Sequence, residues 1–210
     1  MLQELVIVTR ECRAARDLEE SVGGIAGIRV LCGDFREIVA FDCIATAGNS
    51  FGLMDAGMDL AVLKFFGVEL QEAIQARILK DYLGEQPVGT SFVVPSGRTD
   101  HPWVAHSPTM RVPMNVSGTD HVYLATWATL LAVRHHNLAG PESTIKVLVC
   151  PAFGTGTGGM PPREAGTQMR IAWEHFCRPP ANITPSLAQT RHERVHYGGR
   201  WGFQHPRQGT

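Results

Sequence analysis

A chain of 210 residues, 44% hydrophobic and 19% charged, is sized for one domain that buries a core. Its formal net charge of −1 excludes a global basic field for nucleic acid or anionic membranes. No apolar run approaches roughly 18 residues and no charged-then-apolar leader opens the chain, so it reads as soluble and cytoplasmic.

The five cysteines, Cys12, Cys32, Cys43, Cys150 and Cys177, are odd in number and form no CxxC pair. That pattern argues against a disulfide framework or a zinc knuckle, and favours buried free thiols in a reducing compartment.

Leu5 to Val8 is a short β-branched run, followed by a charged helical stretch from Arg10 to Ser21 that Gly23-Gly24 stops. Ile28 to Leu31 reads as the second strand, Gly33-Asp34-Phe35 as a turn, and Phe41 to Ala47 as the third strand. From Met58 to Leu83 the periodicity is helical and broken at Gly67. Leu60, Leu63 and Phe66 share one face of the first piece; Leu70, Ile74, Ile78 and Leu79 belong to the second. Thr90 to Val94 and Trp103 to Ser107 are strands by composition, and Pro108 to Gly118 is loop-like.

Ser117 or Thr119 caps a long helix that runs to about Asn137, with Val122, Ala125, Leu130 and Val133 at near-helical spacing. Ile145 to Val149 is the strongest strand signal of the second half. It breaks at Pro151 into a glycine-threonine loop, and Pro161-Pro162 then opens a helix carrying Ala165, Met169, Ala172 and Phe176. Strands alternating with helices imply an α/β fold whose parallel or mixed sheet is covered on both faces. Residues 1–177 form the expected domain. Residues 178–210, with five arginines against one glutamate, read as a basic extension, partly ordered at best.

Two strand-to-helix loops carry the chemistry. In Gly48-Asn49-Ser50 and the stretch to Asp59, the Asn49 amide can hydrogen-bond sugar hydroxyls and Asp59 places a carboxylate at a helix start. In Gly154-Thr155-Gly156-Thr157-Gly158, glycines let backbone N–H groups turn towards an anion at a helix N-terminus. No Gly-Lys-Ser/Thr follows, so this is not a P-loop. Each feature has a plainer reading: Asn49 as a turn residue, Asp59 as a helix-dipole partner, Asp34 as half of a common turn pair, the threonines as loop braces. Together the loops fit a nucleotide-sugar ligand.

In their order along the chain, Gly33-Asp34-Phe35, Asp42 to Gly67, and Pro151 to Gly156 with the following helix resemble a macro domain, the ADP-ribose-binding module, over roughly residues 28 to 177. The resemblance implies a three-layer α/β/α sandwich with a mixed central sheet. It implies that Asp34 contacts the adenine amino group and that Asn49 holds the distal ribose. Met54, Asp55, Ala56 and Gly57 would lie against the diphosphate and distal ribose, and Gly154 to Gly158 would form the second diphosphate loop. Asp59 matches the acid that helps activate water in hydrolytic, MacroD-like members. Leu63 stands where those members often have histidine, and Asp55 stands where many have glycine. The adenine-stacking aromatic falls to Phe35, Phe153 or Tyr197.

The expected activity is therefore removal of ADP-ribosyl groups from a modified target, with a non-catalytic ADP-ribose reader as the alternative. No cofactor or metal is expected, and nucleic acid enters only as an ADP-ribosylated target. His192-Glu193-Arg194-Val195-His196 formally satisfies H-E-x-x-H. A zinc peptidase is the remote alternative, because the expected third ligand position is Gly202 and the flanks lack apolar residues.

Overall fold

The computed structural model of the chain describes residues 1–140 and 144–197. The elements run β1 (Glu4–Thr9), α1 (Cys12–Val22), β2 (Ile28–Cys32), β3 (Cys43–Thr46), α2 (Gly57–Phe66), α3 (Glu69–Tyr82), β4 (Phe92–Pro95), β5 (Trp103–His106), α4 (His121–Ala139), β6 (Val147–Pro151), α5 (Pro162–Cys177) and α6 (Pro185–Tyr197). The six strands form one sheet in the order β2-β1-β6-β3-β5-β4. Four strand pairs are parallel and only β4 with β5 is antiparallel, so the sheet is mixed, as expected.

Alternation along the strands divides the core in two. Leu5, Ile7, Cys43, Ala45, Leu148 and Cys150 face one side, where Leu18 of α1, Leu130 of α4 and Met169 of α5 pack. Val6, Val8, Ile44, Val104 and Val149 face the other, under Val62 of α2 and Leu70, Ile74 and Ile78 of α3. Burial on both faces is what makes the central strands read as continuous apolar runs. Gly166 brings α5 close to α1: a Cβ there would stand 2.8 Å from that of Ser21.

Several expectations are corrected. The buried positions of α2 are Asp59 and Val62, while Leu60, Leu63 and Phe66 are only partly covered. The loop-facing start of the helix turns Asp59 inward, and Val62 follows it one turn on. In α3 the i, i+4 stripe of Leu70, Ile74 and Ile78 is buried, and Leu79, off that stripe, is 66% exposed. Helix α4 begins at His121, two residues after Thr119, whose hydroxyl accepts from the His121 N–H at 3.3 Å.

Cys12 and Cys32 form a disulfide, with Cα atoms 5.1 Å apart, against the expectation of free thiols throughout. Their spacing of 20 residues hides that Cys12 follows β1 and Cys32 ends β2, its parallel neighbour. Cys43 and Cys150 are free and buried, and burial pushes both thiols up. Beyond Cys177, α6 returns to the domain: Val195 joins the first core cluster, Arg194 pairs with Glu174, and the Arg191 guanidinium lies 5.5 Å from the Trp127 ring centre. Among the described residues no helix is long and apolar enough to cross a membrane.

Candidate functional site

A cleft of about 460 Å³ opens at the carboxyl ends of β1, β6 and β3. Its walls come from Thr9 to Glu11 at the end of β1, Gly33 and Phe35 after β2, Ala47 to Asn49 and Asp55 to Asp59 after β3, and Ala152 with Gly154 to Gly158 after β6. Carboxyl ends of parallel strands are where α/β sheets hold ligands, because loops and helix N-termini converge there. Ala14 in the first turn of α1, Gly57 to Asp59 of α2 and Pro162 of α5 all line it. Three helix starts thus direct unpaired N–H groups and positive dipole ends at one space.

The loop after β6 is shaped for an anion. The Gly159 N–H donates to the Gly156 carbonyl at 3.0 Å and the Met160 N–H to that of Gly154 at 2.9 Å, which curls the loop. The N–H groups of Gly156, Thr157 and Gly158 have no acceptor among the described residues. Gly154 has φ +74°, and a Cβ on Gly158 would stand 2.5 Å from the Gly154 carbonyl oxygen, so neither position accepts a side chain in this conformation. Thr155 braces the turn, its hydroxyl donating to the Ala152 carbonyl at 2.8 Å.

Across the cleft, Asn49 spends most of its amide on its own loop. Its Nδ2 donates to the Leu53 carbonyl at 2.8 Å, and its Oδ1 accepts from the N–H groups of Phe51 (3.0 Å) and Leu53 (3.3 Å). Of the four hydrogen bonds an asparagine amide can make, one N–H remains. Asp59 lines the same wall at 7% exposure. It accepts from the Ala47 N–H, while its Oδ1 is buried with no hydrogen-bond partner. Burial is the main cause that pushes this carboxyl up to about 7, and the Asp55 charge adds to it.

Asp55, Ala56 and Gly57 are exposed and line the cleft, so an acidic residue stands in the wall at this point. Asp34 does not line it. Its carboxylate caps the short 3-10 turn Phe35–Glu37 and pairs with Arg36 (2.7 Å) and Arg10. Phe35 forms part of the cleft wall, yet it is 2% exposed and its ring packs edge-on to Phe65 at 5.4 Å. Phe153 is fully buried in the core and lines nothing. Neither ring therefore offers the open face a base would stack on. The side chain of Tyr197 lies outside the described residues.

His192 and Glu193 sit on α6, where Glu193 accepts from Gln189 at 3.0 Å. The His196 side chain, Gly199 and Gly202 lie outside the described residues. Among the described residues no three His, Cys, Asp or Glu side chains gather as a metal site.

The segment read only as a loop from Pro108 to Gly118 holds the two walls together. The Thr109 N–H donates to the Gly48 carbonyl at 3.0 Å, the Ser50 N–H to that of Arg111 at 3.1 Å, and the Val116 N–H to that of Gly158 at 2.7 Å. Nothing periodic marks it; its buried Met110 and Val116 are single apolar residues among polar and proline neighbours. Behind Gly48 stands His106, fully buried, its Nδ1 2.7 Å from the Gln86 Oε1. That acceptor requires a proton on Nδ1, so Nε2 presents a lone pair; burial lowers the imidazole to about 3. A Cβ on Gly48 would come within 2.4 Å of this Nε2, which is why the first residue of the loop is glycine.

The macro domain family model matches residues 45–169, more than half of the chain and including both loops. The chain belongs to the macro domain family. An uncharacterized protein of Aquifex aeolicus is 32% identical over 143 residues, which cover 68% of this macro domain's chain and 78% of that protein. Solved structures agree on the fold. The macrodomain of Mycobacterium tuberculosis DarG, 20% identical, superposes with a TM-score of 0.57 over 69% of this chain and 88% of its own. A mutant of the Oceanobacillus iheyensis macrodomain with ADPR, 17% identical, gives 0.55 over 77% and 89%.

Proposed function

We propose that this macro domain binds ADP-ribose in the cleft and hydrolyses ADP-ribosyl groups from a modified target. The observation that carries the catalytic half is Asp59, a buried carboxylate in the cleft wall with Oδ1 unpartnered and its pKa at about 7. Such a group sits near the operating pH of a general base. Binding is supported by the free N–H groups of Gly156 to Gly158, the helix starts around them, and the ADPR bound to the similar Oceanobacillus iheyensis domain.

In this reading the diphosphate lies on the loop after β6 and the distal ribose lies between Asn49 and Asp59. The free Asn49 N–H donates to a ribose hydroxyl. Water held by Asp59 attacks the anomeric carbon, its proton passes to the carboxylate, and the bond to the modified side chain breaks. Positioning and local base help supply the rate.

A second reading, a reader that binds without turnover, is favoured by the acidic residue Asp55 in the cleft wall and by the Asn49 amide, three-quarters committed to its own turn. Incubation with a mono-ADP-ribosylated protein separates the two. Release of ADP-ribose that Asp59→Ala abolishes supports the hydrolase; tight ADP-ribose binding with no release leaves the reader. Absence of ADP-ribose binding by calorimetry removes both.

A further inference from the structure

The place of the base rests on the function proposed above and on the macro domain resemblance that puts the adenine end beside the turn after β2. With the distal ribose over the loop after β3 and the diphosphate over the loop after β6, the next strands are β1 and β2. The base then meets Arg10, Glu11, Gly33 and the wall above Phe35.

Two features decide what that end can read. The Asp34 carboxylate is full: Oδ1 accepts from the Arg36 N–H at 3.0 Å and from its Nε at 2.9 Å, while Oδ2 accepts from Arg36 Nη2 at 2.7 Å and from Arg10 Nη2. Four donors occupy the roughly four lone-pair positions of a carboxylate. None is left for the exocyclic amino group of adenine. Arg10, in turn, is the only cation lining the cleft among the described residues. Its side chain is 63% exposed and the guanidinium gives only Nη2 to Asp34, leaving further N–H donors. Asp34 therefore serves to orient a donor fork.

We propose that Arg10, oriented by Asp34, reads the base through acceptor atoms, so that the cleft takes a 6-oxopurine nucleoside diphosphate ribose at least as well as ADP-ribose. A 6-oxopurine offers O6 and N7 side by side, the pair an arginine fork matches bidentately, whereas adenine offers N7 beside a donor amino group. A site that accepted from the amino group through a free carboxylate would strongly reject the oxo analogue, leaving a buried acceptor unpaired.

The test is calorimetry on the full chain with ADP-ribose and with IDP-ribose, which carries hypoxanthine in place of adenine. IDP-ribose is expected to bind as tightly or more tightly. Arg10→Ala should weaken IDP-ribose by about tenfold, the scale of one bidentate base contact, and so place it below ADP-ribose, which makes no such contact. Arg10→Lys keeps the charge without the fork and should lose the same selectivity. Weaker binding of IDP-ribose than of ADP-ribose by the native chain overturns the proposal, as does an order that Arg10→Ala leaves unchanged. In both cases firm ADP-ribose binding leaves the proposed function standing; binding of neither nucleotide overturns both.

Discussion

Two aspartates, Asp34 after β2 and Asp59 at the start of α2, flank one cleft in opposite electrostatic conditions. Asp34 is surrounded by donors, and its hydrogen bonds to Arg36, with Arg10 beside them, hold its carboxyl well below the usual range. Asp59 has one backbone donor, one empty oxygen and almost no solvent, and burial pushes it up to about 7. The first is an anion at any working pH and can only orient. The second gains and loses a proton near neutrality and can do chemistry. Sequence position alone treats them alike; their environments divide the labour.

The largest expected effect comes from removing the reactive member. Asp59→Asn keeps the shape and should lower ADP-ribosyl hydrolysis by about 10²–10⁴-fold, the range of a general base, with ADP-ribose affinity largely kept. In the native chain turnover should rise with pH through about 7, as Asp59 gives up its proton. A flat profile across that window, measured by ADP-ribose release, would remove Asp59 as base.

The same substitution should stabilise the fold. Asp59 ionises near 3.8 when unfolded and near 7 when folded, so between those values the folded state holds a proton that the unfolded state has released. Its burial therefore costs stability increasingly as pH rises across that window, reaching about 2–4 kcal/mol above it. Denaturant melts at pH 8 should show Asp59→Asn more stable than the native chain by that order, with the gap closing near pH 4. An equal gap at both pH values would locate the effect in packing.

How much of this was legible depends on what each feature needs. Strands such as Val147–Pro151 announce themselves because burial on both faces demands unbroken apolar runs, and Leu70, Ile74 and Ile78 mark α3 by their i, i+4 spacing. The glycine loop after β6 was readable because close approach excludes side chains at Gly154 and Gly158. The saturation of Asp34 was not, since Arg10 arrives from a neighbouring strand 24 residues away. Nor was the disulfide: only parallel pairing of β1 with β2 brings Cys12 to Cys32. Periodicity reports what an element buries, whereas these contacts arise where separate elements end together.

That disulfide ties the start of α1 to the end of β2, just before Asp34, and both cysteines are exposed. Closing a loop of 20 residues in the unfolded chain is worth about 3 kcal/mol by chain entropy. Reduction, or Cys12→Ser with Cys32→Ser, should lower stability by about 2–3 kcal/mol in denaturant melts. The edge strand β2 should gain hydrogen exchange first, and β3 beneath Asp59 last. Exchange spread evenly over the sheet would mean that the tie does not act locally.

The smallest effect belongs to Asp34 itself. Asp34→Asn keeps an oxygen for the Arg36 N–H and so preserves the cap of the 3-10 turn, removing only charge. Both arginine partners are at least half exposed, at 63% and 50%, so solvent screens the pairs and the loss should stay near or below about 1 kcal/mol at neutral pH. Because the folded carboxyl lies below its ordinary value, its contribution is complete above about pH 4 and fades as acid protonates it. The difference between Asp34→Asn and the native chain should therefore shrink towards low pH and in high salt. For Asp59→Asn the gap instead closes because the native chain regains stability as its buried carboxyl takes up a proton. A salt-independent loss of several kcal/mol from Asp34→Asn would show that its charge holds the fold, and the contrast between an orienting and a reacting carboxylate would fail.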